Sequence, residues 1–182
     1  TKSVIYGILG SKLKIRKIIV SKRSNKISSS LKRKSKKILV LNNNQDIINQ
    51  SDWIFLSVTP EVGHQILPKL KFKNNQTIIS FISTKKMKDL KKYTNMKSKI
   101  FRAIPLPPIS IRKGPIHLYP PKNSVKNFFD HLGTTVEIEN ESLSLNFWST
   151  SSMMAPFYEL LNTLSVWLNQ KGISKSDAQK YI

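Results

Sequence analysis

The chain contains no cysteine. Disulfides, thiolate nucleophiles and cysteine-based metal sites are therefore excluded, and a reducing, cytoplasmic setting is the expected one. Acid is scarce: 10 Asp and Glu stand against 31 Lys and Arg, for a formal net charge of +21, and no acidic residue precedes Asp46. No apolar run approaches the roughly 20 residues that cross a bilayer, and no signal peptide is visible. Glycine is also sparse, with six in 182 residues, and neither G-x-G-x-x-G nor a P-loop is present. A nucleophile elbow is missing too. The three histidines, His64, His117 and His131, have no metal-ligand spacing and read as surface or packing residues. Hydrolase, metalloenzyme and membrane readings are left without support.

What is present is lysine, isoleucine, asparagine and serine, all encoded by A/T-rich codons. Codon bias together with an anionic small ligand explains the charge better than a nucleic-acid partner does. The first 50 residues hold a single aromatic, Tyr6, too few for a base-stacking surface. A phosphate-bearing ligand would place its phosphates against the acid-free N-terminal third.

Hydrophobic patterning alternates between strand and helix. Thr1–Ser11 reads as a helix with Val4, Ile5, Ile8 and Leu9 on one face, ended near Gly10. Strands are expected at 17–21, 38–41, 53–58, 77–82, 99–104, 116–120 and 134–138. Helices are expected at 24–34 with Ser24 as cap, 44–50, 60–70 opened by Pro60, 85–92 and 124–131. From Glu141 the pattern stays helical to Gln170; Gly172 ends that helix and Ser174 caps the next. Five strand–helix alternations at 20–25 residue spacing predict a Rossmann-like, doubly wound, mostly parallel α/β sheet over 1–140. The beginning of a helical domain follows over 141–182. Thr1 reads as lying within a helix and Ile182 within another, so the expectation is a fragment cut at both ends.

Ligands of open α/β sheets bind beyond the carboxyl ends of the strands. Four loops should line that crevice: 21–24, 58–60, 82–84 and 104–107. At the first, Lys22, Arg23 and Ser24 stand where an acidic residue would select NAD and a basic one accommodates the 2′-phosphate of NADP. Arg23 can grip a phosphate bidentately and Ser24 can donate at a helix start. At the last, three prolines in four residues, Pro105, Pro107 and Pro108, make a stiff turn. That turn suits either a rigid connector or a wall against a ligand.

The order of "KIIVSKRS", "NNQDIINQSDWIFLSVTPE", "TIISFIS", "FRAIPLPP", "HLGTTVEIE" and "WSTSSMMA" resembles that of the pyrroline-5-carboxylate reductase family over nearly the whole chain. The strongest segments are "SDWIFLSVTP", similar to the family's aspartate, apolar strand and V-K-P, and "RAIPLP", similar to R-x-M-P-N-x-P. The resemblance implies that a first strand and glycine-rich pyrophosphate loop precede Thr1, and that helices building a homodimer or higher oligomer continue past Ile182. It implies NADP (NADPH) as cofactor, held by Lys22, Arg23 and Ser24 at the 2′-phosphate, Asn44 near the adenosine half, Val58, Thr59 and Pro60 beside the cofactor, and Ile104, Pro105 and Leu106 beside the nicotinamide. Ser149, Thr150, Ser151 and Ser152 match the S-G-S-G whose amides and hydroxyls hold a substrate carboxylate at a helix start.

The implied activity is hydride transfer from NADPH to a cyclic imine carboxylate, 1-pyrroline-5-carboxylate giving proline. No protein acid need be catalytic, because a protonated imine is already electrophilic. The departures are Thr59 for lysine, Leu106 for an amide side chain, Thr150 and Ser152 for glycines, and Met153 for a proline. They leave open a related imine or ketone reductase, or an NADP-binding regulator without turnover. Trp148, Phe157, Leu160, Leu164 and Trp167 offer an apolar face for an oligomer or for packing within the chain.

Overall fold

The computed structural model describes residues 1–94 and 99–182. The chain divides into two units, Thr1–Glu141 and Ser142–Ile182. The first is an alternating α/β unit. Its elements run α1 (Lys2–Leu9), β1 (Ile18–Ser21), α2 (Asn25–Lys34), β2 (Ile38–Leu41), α3 (Asn44–Asn49), β3 (Trp53–Leu56), α4 (Pro60–Ile66), β4 (Thr77–Ser80), α5 (Met87–Tyr93), β5 (Lys99–Pro105), β6 (Pro115–Tyr119), α6 (Asn123–Asp130) and β7 (Thr134–Glu137). β1 and β2 pair in parallel, Ile18 opposite Ile38. A second sheet has the order β3-β4-β5-β6-β7. Its ladders are parallel except β5–β6, where Ile104 faces His117. The mostly parallel, doubly wound arrangement expected from the alternation is the one observed.

Continuous apolar strands bury both faces, as parallel sheets require. Successive residues of β4 and β5 go to opposite sides. Ile79 and Phe101 join a core with Val4 and Ile8 of α1 and Val125 and Phe129 of α6. Ile78 and Ile100 join a second core with Ile48, Leu67 and Leu90 from the helices of the other face. Helix boundaries follow local chemistry. Pro60 opens α4 at a position where its missing N–H is no loss. The helix then tightens into a 3-10 turn at Leu67–Lys69 instead of continuing to Leu70. Ser24 occupies the N-cap of α2 by backbone conformation, but its hydroxyl accepts no cap hydrogen bond, so the capping expected there is absent.

The second unit holds α7 (Ser144–Ser152), α8 (Met154–Gln170) and α9 (Lys175–Tyr181). The single helix expected up to Gln170 is broken at Met153. Gly172 has φ of 90° and ends α8, and the Ser174 hydroxyl caps α9 by accepting from the Asp177 N–H at 3.1 Å. Phe157, Leu160, Leu164 and Trp167 of α8 are exposed.

Candidate functional site

The carboxyl ends of β3, β4 and β5 meet the amino end of α1 in a crevice of about 240 Å³. Ser57 and Phe81 reach it from the ends of β3 and β4. Ile104, Pro105, Leu106 and Pro107 form its wall, and Thr1, Ser3 and Val4 face them from α1. The Thr1 and Ser57 hydroxyls lie 2.6 Å apart, tying the amino end of α1 to the end of β3. Among the described residues no carboxylate lines the crevice, and the first turn of α1 carries no acid. The positive end of the helix dipole is therefore unopposed on that side.

The proline-rich turn is braced from behind. β5 runs through Pro105, Leu106 is extended at φ −87° and ψ 159°, and Pro107 starts a 3-10 turn ending at Ile111. Within that turn Ile109 is 1% exposed and belongs to the α1-side core. Its carbonyl approaches Gly7 of α1 so closely that a Cβ there would lie 2.5 Å from the oxygen. Prolines thus stiffen the wall locally, and a glycine-mediated helix contact fixes its far side.

Other expected residues follow the carboxyl ends of β1, β2 and β3 without lining this crevice. Val58, half-buried, follows Ser57; Thr59 is the N-cap of α4 and Pro60 its first residue. Lys22, Arg23 and Ser24 are exposed at the carboxyl end of β1, with no ion pair among the described residues. Asn44 opens α3 beyond β2, half-buried, beside Asn43, whose side chain accepts from the Gln45 N–H at 2.7 Å. This donor set fits a phosphorylated dinucleotide: free cations and a hydroxyl at one strand end, a carboxylate-free apolar crevice at the others.

Ser149, Thr150, Ser151 and Ser152 lie together in the last turns of α7, one residue before α8, rather than in the first turn of a helix. Their hydroxyls donate to carbonyls of their own helix: Ser149 to Leu145 at 3.0 Å, Thr150 and Ser151 to Phe147 at 2.9 and 2.7 Å, and Ser152 to Ser149 at 2.6 Å.

Sequence reasoning did not single out Ser57, Phe81 or the residues of α1 that complete the crevice. Thr1 and Ser57 are 56 positions apart, and neither carries a local signal. It also gave no role to Arg102, quoted only as the arginine of "RAIPLP", which is 3% exposed and paired with Glu141 at 2.5 Å. The signal was there: an arginine inside an apolar strand, "IFRAI", must have a partner. His117, on β6 beside Ile104, is held down to about 4 by burial and secondarily by the positive charge of Arg102. Among the described residues no three metal-ligating side chains cluster, and no helix is long and apolar enough to cross a membrane.

Residues 1–84 match the family described as NADP oxidoreductase, coenzyme F420-dependent. No curated protein matches the chain in sequence. Solved structures do match. The 1-pyrroline-5-carboxylate reductase of Streptococcus pyogenes superposes with a TM-score of 0.81 at 22% identity, over 98% of this chain and 70% of that one. The chain has the fold of the pyrroline-5-carboxylate reductases. That of Coxiella burnetii gives 0.78 at 20% identity, over 99% and 70% of the two chains. The Plasmodium falciparum enzyme, solved with NADP bound, gives 0.81 at 16% identity, over 98% and 69%. The order of motifs that resembles this family in sequence is matched by the order of elements in space.

Proposed function

We propose that the chain is part of an NADPH-dependent reductase that delivers hydride to a cyclic imine, 1-pyrroline-5-carboxylate being the first candidate. The observation that carries this is the basic, hydroxylated turn Lys22–Ser24 at the carboxyl end of β1, taken together with the proline-walled crevice at the carboxyl ends of β3, β4 and β5. Arg23 and Lys22 would neutralise a 2′-phosphate, and Ser24, with no cap to make, keeps its hydroxyl for it. Asn44 would lie along the adenosine half, and Val58, Thr59 and Pro60 would pass beside the cofactor. Ile104, Pro105 and Leu106 would flank the nicotinamide, which supplies the hydride when bound. What these residues contribute is position: a stiff apolar wall excludes water and holds one face at short range. Ser149–Ser152 would hold the substrate carboxylate, and the exposed apolar side chains of α8 would meet a second copy of the chain in a homodimer or larger assembly. A cytoplasmic location suits this reading.

A second reading is favoured by one observation. The four hydroxyls of Ser149–Ser152 already donate to helix carbonyls, which leaves their oxygens as acceptors rather than donors to a carboxylate. Leu106 likewise offers no amide. A less polar imine or ketone as substrate agrees with both.

The test is loss of NADPH absorbance in the full-length protein with pyrroline-5-carboxylate, comparing wild type with Arg23→Ala. The expected result is turnover in both, with the NADPH KM raised about 10- to 100-fold in the variant, in line with loss of a charge-assisted contact. Turnover only with other imines or ketones would select the second reading. NADPH binding without any turnover would replace both with a cofactor-binding regulator. An unchanged KM in the variant would remove Arg23 from the phosphate site.

A further inference from the structure

A buried arginine in a strand is costly unless its donors are met, and an apolar side chain would fill the space with no such penalty. Arg102 of β5 is 3% exposed. Its Nη1 donates to Glu141 Oε1 at 2.5 Å and its Nη2 to the Ser83 carbonyl at 2.7 Å. Its Nε is buried without a hydrogen-bond partner among the described residues. The same Glu141 oxygen accepts from the Met87 N–H at 2.6 Å. Met87 is the first residue of α5, and Lys86 at the N-cap provides no side-chain acceptor. One carboxylate oxygen thus neutralises the arginine and caps a helix that lacks its own cap.

Three remote stretches meet at this point. Ser83 belongs to the loop leaving β4 at the crevice edge. Arg102 lies two residues before Ile104, the start of the wall. Glu141 is the last residue of the α/β unit, where the chain leaves it. The planar guanidinium joins two acceptors in a fixed fork, which a lysine ammonium cannot span in the same geometry.

We propose that Arg102 and Glu141 are a positioning pair, holding the β4–α5 loop and the Ile104–Leu106 wall in one fixed relation. The consequence for turnover rests on the reductase reading. The consequence for local order does not. The experiment uses the full-length protein with Arg102→Lys, Arg102→Met and Glu141→Gln. It measures kcat and KM with NADPH and a cyclic imine, NADPH affinity by fluorescence, and amide hydrogen exchange at Ser83–Met87 and Ile104–Leu106. The expected result for Arg102→Lys is a kcat lower by about tenfold or more, with NADPH affinity within about threefold, as for a misplaced reacting geometry. Exchange at Met87 and Ile104 rises. Arg102→Met behaves alike even if its Tm is unchanged. Glu141→Gln keeps an acceptor for the Met87 N–H without the charge, and loses less.

A merely structural pair would lower Tm and leave kcat per folded molecule and local exchange unchanged. That result in Glu141→Gln or in either arginine variant overturns the proposal. If wild type reduces no substrate, the reductase reading fails and exchange alone decides: raised exchange at both segments upholds the pair, unchanged exchange sinks it.

Discussion

At the scale of single residues, burial in the fold decides how ionisable groups are set. His117 shows this best. Buried at 5% exposure beside Arg102, its folded value is about 4 against an ordinary 6.5. The unfolded chain therefore takes up the proton first as pH falls. Stability is whole above pH 6.5, falls between 6.5 and 4, and levels off below. The loss due to this residue is of order 3 kcal/mol. Denaturant titrations of wild type and His117→Gln at several pH values check it: the variant should lose this share of the acid sensitivity, and equal slopes would show that His117 does not carry it. The sequence read His117 as a surface or packing residue and assigned Arg102 no role. Residue type told that a partner was needed for Arg102; which carboxylate supplied it, 39 positions away, was decided by how β5 and the end of the α/β unit come together.

At the scale of elements, the contact between α1 and the 3-10 turn after β5 sets the crevice wall. Gly→Ala inside a helix ordinarily stabilises by up to about 1 kcal/mol through propensity. At Gly7 the sign reverses, because the added Cβ would sit 2.5 Å from the backbone oxygen of Ile109 and 3.3 Å from a Leu132 methyl. Backbone cannot yield as a flexible side chain can. Gly7→Ala should therefore destabilise by about 1–3 kcal/mol, the usual cost of overpacking, and, on the proposed reductase reading, should weaken NADPH binding by displacing the wall. Thermal unfolding and cofactor titration of the variant measure the two effects together; a rise in Tm would mean that α1 and the turn slide apart freely. The sequence read α1, β1–β7 and the helices between them in place, within a few residues at their ends, because the apolar runs and the turn residues are local. It missed the break at Met153 and the 3-10 turn at Leu67–Lys69, although Pro68 within the turn and Pro156 three residues past the break are local signals against a continuous helix.

At the scale of the whole molecule, charge is the dominant feature. The net formal charge is +21, and the described residues show three ion pairs, of which only Arg102–Glu141 has a buried member, Arg102. Exposed pairs contribute little, so like-charge repulsion outweighs them at low ionic strength. Tm should rise by several degrees as NaCl is raised from about 0.02 to 0.5 M, where the Debye length shrinks to about a fifth. A differential scan across that range checks it, and a falling Tm would mean that favourable ion pairs prevail.

The division of labour between sequence and structure follows from range. Periodicity, prolines and the acid-free first 45 residues depend on neighbours along the chain, and they sufficed to establish an alternating α/β unit followed by helices. They also put Lys22–Ser24 and Ile104–Leu106 at strand ends. What the sequence could not decide were the meetings of distant residues. Thr1 lies against Ser57, Gly7 against Ile109 and Arg102 against Glu141. Each depends on which faces pack and which donors are already satisfied, and only the folded chain sets those.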